Sequence, residues 1–254
     1  MTTPPSDLTL AAVAALWGAV AGALLPRAAY RFAVPWEETE DGSEEDPGWR
    51  STCPDGHPIR GWLGRARCGR RTPSYAPGAL LLPVLTALLC AALAAATGVR
   101  PELVVWLVLV PVGVLLAVVD LRARRLPDPL TLPLAAAALA LLGPAALLPE
   151  HAGHWTTALL GALALGAGYL VLHLVNPAGL AFGDVKLALG MGAVLGWYGW
   201  ATVMLGTLAA FGFGALYGAV LAVVGRDGRK ATIAFGPFML AGTFTGLLIG
   251  AYAA

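Results

Sequence analysis

Long apolar runs alternate with short polar ones along the whole chain. Uncharged stretches fall at roughly Leu8–Leu25, Gly78–Val99, Leu103–Val119, Leu130–Leu148, Trp155–Val175, Leu187–Trp197, Trp200–Val224 and Ile233–Ala254. A helix needs about 17–25 such residues to cross a bilayer; most of the runs reach that length, and the sixth is short. The runs are continuously apolar, whereas the strands of a membrane β-barrel alternate apolar and polar residues. The pattern predicts an all-α polytopic membrane protein of about eight transmembrane helices. The sixth and seventh runs divide at Trp197-Tyr198-Gly199-Trp200, where the aromatics suit a membrane interface and the glycine suits a turn.

Composition agrees with this reading: 58% of the 254 residues are hydrophobic and 12% are charged, which excludes an ordinary soluble domain. The arrangement of charge adds orientation. With eight spans, one side of the membrane collects Arg27, Arg31, Arg50, Arg60, Arg65, Arg67, Arg70, Arg71, Arg122, Arg124, Arg125, Lys186, Arg226, Arg229 and Lys230, and the other collects Arg100: fifteen against one. By the positive-inside rule the crowded side is cytoplasmic and both termini lie outside. Leu8–Leu25 lacks a basic segment ahead of it and is read as a retained first helix rather than a cleaved signal. The expected organisation is a first transmembrane helix over 1–27, a cytoplasmic loop module over 28–77 and a core of about seven helices over 78–254. The module opens with an acidic run, Glu37 to Asp46, read as a solvated loop, and continues with a basic half from Arg50 to Arg71 that can touch anionic lipid headgroups. The net charge of +1 points to no polyanion, and no nucleic-acid partner is expected. Glycines inside the spans, among them Gly161, Gly166, Gly168, Gly190, Gly192 and Gly196, allow helices to approach closely.

Against this background two carboxylates stand out. Asp120 ends the third run and Asp184 begins the sixth, both on the cytoplasmic side. Carboxylates at such positions are costly and are commonly functional. Facing each other in a partly dry site, they would share a proton. The ionised member can then take a proton from water while the protonated one polarises a carbonyl, which is the chemistry of aspartic proteolysis. The plain structural reading pairs Asp120 with Arg122, Arg124 and Arg125, makes Asp184 a helix cap, and makes Asp128 the cap of the fourth helix, its other reading being a place at the mouth of the active site. Lys186 either steers a carboxylate or substrate, or reaches for the headgroups. His173 is read as a hydrogen-bonded core histidine.

The surroundings of the aspartates carry a resemblance. Asp120-Leu121-Arg122-Ala123-Arg124-Arg125-Leu126-Pro127-Asp128, followed by Leu130-Thr131-Leu132-Pro133, resembles the first aspartate motif of the type IV prepilin peptidases. Phe182-Gly183-Asp184-Val185-Lys186 resembles the second, a Gly-x-Gly-Asp motif, and the 64-residue separation is similar to the family's. Gly18, Gly22, Leu24-Leu25-Pro26-Arg27, Tyr30-Arg31 and Pro35 look like its opening helix, and Cys53 to Arg60 with Cys68 to Arg71 resemble its cytoplasmic cysteine module. The resemblance implies a membrane aspartic endopeptidase with Asp120 and Asp184 catalytic, and Gly183, Lys186 and Asp128 in support. It also implies a prepilin-like substrate, with a basic leader, a glycine before the cut and a hydrophobic helix lying in the bilayer. A second activity, N-methylation with S-adenosylmethionine, is found in many members of that family.

Three departures qualify the likeness. Ala181 replaces the first glycine of Gly-x-Gly-Asp, and alanine takes positive φ less freely. The cysteine module keeps one cysteine of each pair, so Cys53, His57 and Cys68 give at most three conventional zinc ligands with Asp55 a poor fourth; no zinc is expected. A cytoplasmic disulfide is not expected either, because that compartment is reducing. The stretch between the cysteines is also shorter than the family's form. The rival class is a small proton- or cation-coupled transporter using the two aspartates.

Overall fold

The computed structural model describes residues 7–34, 49–68, 80–177, 179–224 and 234–254. The acidic run Glu37–Asp46 and five of the counted basic residues, Arg70, Arg71, Arg226, Arg229 and Lys230, lie outside the described residues. Eight helices account for most of the rest: α1 Asp7–Phe32, α2 Leu81–Thr97, α3 Glu102–Ala123, α4 Asp128–Ala145, α5 Trp155–Val175, α6 Phe182–Trp197, α7 Trp200–Val224 and α8 Gly236–Ala253. Among the described residues there is no strand beyond a single Thr52–Pro58 bridge.

Six of these helices are long and apolar enough to cross a membrane. The other two are shorter, α2 with 17 residues and α6 with 16. The first helix is longer than its apolar run, because it continues through Pro26 and the basic residues to Phe32. The division in the Trp197–Trp200 stretch is real: α6 ends at Trp197, Gly199 takes φ +100° to turn the chain, and α7 starts at Trp200.

The shortness of α6 follows from its place. It is buried along nearly its whole length, with Phe182, Gly183, Lys186 and Leu189 as the exceptions. Its first half packs Leu187, Ala188 and Met191 among Leu116, Leu165 and Met239. Its second half packs Ala193, Val194 and Trp197 among Trp106, Ala138 and Leu142. A helix wrapped by its neighbours needs no full lipid-spanning length. Glycine makes the wrapping possible: a Cβ on Gly192 would sit 2.2 Å from the Gly161 carbonyl oxygen, so α5 and α6 touch backbone to backbone.

The segment after α1 is held by arginine. Arg31, buried at the end of α1, donates from Nε to the Arg50 carbonyl and from Nη1 to the Gly61 carbonyl, and its guanidinium lies 3.7 Å from the centre of the Trp62 ring. Arg27 donates to the carbonyls of Arg60 and Arg65. The loop is therefore clasped onto the end of α1 through its own backbone oxygens.

Candidate active site

Asp120 and Asp184 come to the same end of the bundle, and both are almost fully enclosed, at 4% and 5% exposure. Asp120 lies on the last turn of α3. Its Oδ2 accepts a 2.9 Å hydrogen bond from the Gly236 amide, the first helical residue of α8. The local sequence explains why that amide is free. Pro237 has no N–H, and the amides of Phe238 and Met239 both reach the Phe235 carbonyl. The carboxylate thus meets the positive end of the α8 dipole. The plain structural reading had Asp120 paired with Arg122, Arg124 or Arg125; the hydrogen bond seen at its carboxylate among the described residues comes from Gly236.

Asp184 sits at the third position of α6, and its Oδ2 accepts a 3.0 Å bond from the Ala181 amide. This is the carboxylate half of a capping box, so Asp184 does hold the start of its own helix. Ala181 lies at φ −74°, ψ 153°, ordinary extended backbone. The doubt raised by alanine in place of glycine falls away, since no positive φ is required there.

The two sites converge on Leu126, in the connection between α3 and α4. A Cβ on Gly183 would lie 3.0 Å from the Leu126 Cβ, and one on Gly236 would lie 3.4 Å from its Cδ1. Leu126 thus packs at once against the glycine beside Asp184 and the glycine that binds Asp120. Tyr169 of α5 closes the site from another side. It is 2% exposed and packs in one cluster with Leu126 and Val185, and its hydroxyl has no hydrogen-bond partner among the described residues.

The supporting residues take definite places. The Lys186 Nζ donates to the Asp128 Oδ1 at 2.5 Å and lies 4.8 Å from the centre of the Phe182 ring. Asp128 is therefore not the cap of α4. It is the first helical residue, after Pro127, and its carboxylate faces α6 instead. His173 is hydrogen-bonded, but at the half-exposed edge of α5: its Nδ1 lies 2.7 Å from the Leu180 carbonyl oxygen, pinning the turn that leads to Asp184. Gly236, Leu126 and Tyr169 were not anticipated. A signal for Gly236 was present in Gly236-Pro237, since proline within the first helical turn marks a helix start and a helix start attracts carboxylates.

The cysteine module departs from expectation. Cys53 and Cys68 form a disulfide, with Cα atoms 6.4 Å apart. The Cys53 amide bonds the His57 carbonyl across a tight turn, leaving His57 Nδ1 3.7 Å from the Cys53 Sγ. The donor atoms of Cys53, Asp55, His57 and Cys68 all lie within 4.8 Å of one another. The sulfurs are nonetheless bonded to each other, and a metal ligand must be a thiolate. In this state the two sulfurs are not available as thiolate ligands.

The two carboxylates are thus enclosed at one end of the bundle on either side of Leu126. Comparison with known proteins bears on the same pair. The profile of the Type IV leader peptidase family matches residues 107–223, which include both aspartates. The chain is 32% identical to the prepilin leader peptidase/N-methyltransferase of Aeromonas hydrophila, over 79% of this chain and 72% of that protein. It is 30% identical to the protein of the same name from Pectobacterium carotovorum subsp. carotovorum, over 92% of this chain and 91% of that one. The Bacillus subtilis (strain 168) protein of that name is 33% identical over 72% of this chain and 69% of its own length. No solved structure matches.

Proposed function

Since the chain belongs to the type IV leader peptidase family, we propose that its aspartic endopeptidase activity is carried by Asp120 and Asp184 and removes the leader of prepilin-like precursors after a glycine. The observation that carries this reading is the meeting of two aspartates, 64 residues apart in sequence, around Leu126. Each carboxylate gives one oxygen to a backbone amide, which fixes its orientation without neutralising it.

The ionised carboxylate takes a proton from water as the water oxygen attacks the peptide carbonyl. The protonated partner hydrogen-bonds the carbonyl oxygen as negative charge builds there. Collapse of the tetrahedral species breaks the C–N bond. The proton taken from water passes to the leaving amine, and the pair returns to its shared-proton state. No covalent enzyme intermediate forms. Gly183 leaves room for Leu126, and the Lys186–Asp128 pair ties α6 to the start of α4 beside the mouth of the site.

In this reading the aspartate end faces the cytoplasm of a bacterial inner membrane, both termini lie outside, and residues 28–77 form the cytoplasmic module. The acids of Glu37–Asp46 attract the basic leader. Replacing them with glutamine slows cleavage; an unchanged rate removes them from the account.

The test is co-expression with a prepilin. Asp120→Asn and Asp184→Asn each abolish cleavage while the protein accumulates in the membrane. Normal cleavage by either variant refutes the dyad, and transport activity without cleavage by the unaltered chain would favour the coupled transporter. Mass spectrometry of the processed N-terminus also reads whether it is methylated, the second activity in the relatives' names, for which S-adenosylmethionine would be the donor.

A further inference from the structure

We propose that the cleft between α5 and α7 is the docking groove for the hydrophobic helix of the precursor, a reading that rests on the peptidase function above. The cleft has a volume of about 220 Å³ and is walled by Ala164, Gly168 and Tyr169 from α5 and by Val203, Met204 and Phe211 from α7. It lies within segments that span the membrane, so its mouth opens to lipid rather than to water.

One reason for a helix as occupant is continuity with the chemistry. The groove wall includes Tyr169, whose ring stacks on Phe211 with centroids 5.8 Å apart. Phe211 in turn lies against Phe235 at 5.3 Å, and Phe235 precedes the glycine that binds Asp120. A helix lying in the groove therefore has its cytoplasmic end at the two carboxylates. The aromatic chain also brings an enclosed hydroxyl, that of Tyr169, which has no hydrogen-bond partner among the described residues. Such a group is left for the backbone of a bound segment to satisfy.

Shape and fit give further reasons. Ala164 and Gly168 stand four residues apart on one face of α5, the small-residue spacing that lets a second helix approach closely. A Cβ on Gly168 would meet nothing within 4 Å, so the space in front of it is open. From Trp200 to Phe211 the α7 wall runs about 16 Å at 1.5 Å per residue, enough for three turns of an incoming helix. Most of the wall is left uncovered by the protein, since only 6% of the most apolar stretch of α7 is buried inside it.

The test fills the groove. Gly168→Trp places an indole in open space on the groove wall, and Gly212→Trp places one in open space on α7 outside the groove. Each variant is reconstituted in vesicles and given two substrates, a full precursor and a short peptide spanning the cut but lacking the helix. Gly168→Trp is expected to lower the precursor-to-peptide cleavage ratio about ten- to hundred-fold, the loss when one large apolar side chain can no longer be buried. Gly212→Trp leaves the ratio unchanged. An unaltered ratio in Gly168→Trp overturns the proposal.

A second measurement does not depend on cleavage. A photo-crosslinking amino acid replaces Met204 in the Asp184→Asn background, and the precursor is added. Crosslinking to the precursor's hydrophobic helix supports the groove even if the chain proves not to be a peptidase. Crosslinking only to lipid, or only to a second copy of this chain, overturns it.

Discussion

A single methyl group at Gly236 should silence the site while leaving the fold intact. A Cβ built on Gly236 lies 2.6 Å from the Asp120 Oδ2 and 3.2 Å from its Cγ. Ordinary van der Waals contact begins at 3.4 Å, so the oxygen must retreat by about 0.8 Å. A retreat along the line of its hydrogen bond would stretch the 2.9 Å contact with the Gly236 amide to about 3.7 Å, beyond bonding distance. What the methyl strikes is the far end of a side chain, not backbone, so the protein can accommodate it. Alanine is also the better helix former by up to about 1 kcal/mol. Stability is therefore kept or slightly raised, while a misplacement near 1 Å at a reacting group costs on the order of 100-fold in rate. The assay is gel-shift cleavage of a co-expressed prepilin, with membrane accumulation followed by immunoblot. Cleavage by Gly236→Ala at the unaltered rate would refute the placement of Asp120 against the start of α8.

Other substitutions probe the supports. Arg31→Ala removes two charge-assisted bonds and a cation–π contact, about 3 kcal/mol or more; protease digestion of inverted vesicles should then cut within residues 50–68. The Cys53→Ala, Cys68→Ala double variant keeps the Arg27 and Arg31 clasp, so its digestion pattern should match the unaltered protein. Lys186→Ala breaks a pair in which Asp128 is 57% exposed, so unfolding in detergent should show a stability loss no larger than a surface pair's worth, about 1 kcal/mol or less, and only a small drop in melting temperature. Glu102 is fully buried at the opposite end of the bundle, and its Oε1 accepts from the Ala152 amide and the Tyr198 hydroxyl. Glu102→Leu strands both donors, for roughly 2–4 kcal/mol; Glu102→Gln, which keeps an acceptor, should melt closer to the unaltered protein.

The helices were legible because an apolar run long enough to span a bilayer has few alternatives to being one. The aspartates were legible because charge is so sparse around them. What could not be read was contact across elements. Gly236 is one of 32 glycines, and nothing local shows that its amide meets a carboxylate 116 residues away. The Lys186–Asp128 pair, which takes Asp128 out of a capping role, likewise depends on how α4 lies beside α6. Glu102 fell next to a short polar break and drew no notice, although its burial is complete. The disulfide runs against an argument from compartment: the tight turn at Cys53–Gly56 and the path of the loop set Cys53 and Cys68 side by side, which their spacing in the sequence did not show.

The two glycine positions of the second motif are not equivalent, and the structure explains which one tolerates a side chain. The residue at the first position supplies its amide to Asp184, and any amino acid but proline has that amide. Its backbone is extended and its side chain is exposed, so the alanine found there meets no neighbour it must displace. The second position faces Leu126, where an added Cβ would stand 3.0 Å from the leucine's own. Leu126 has little room to yield, because it is buried and its far end lies beside Gly236, 3.4 Å from where a Cβ there would stand. Pressure applied at Gly183 would pass through Leu126 to the amide that holds Asp120. Gly183→Ala should therefore lower cleavage, whereas Ala181→Gly should leave it near the unaltered rate. Leu126→Ala in the Gly183→Ala background relieves the crowding and should restore part of the activity. If the double variant is no better than Gly183→Ala alone, the two carboxylates are not coupled through Leu126.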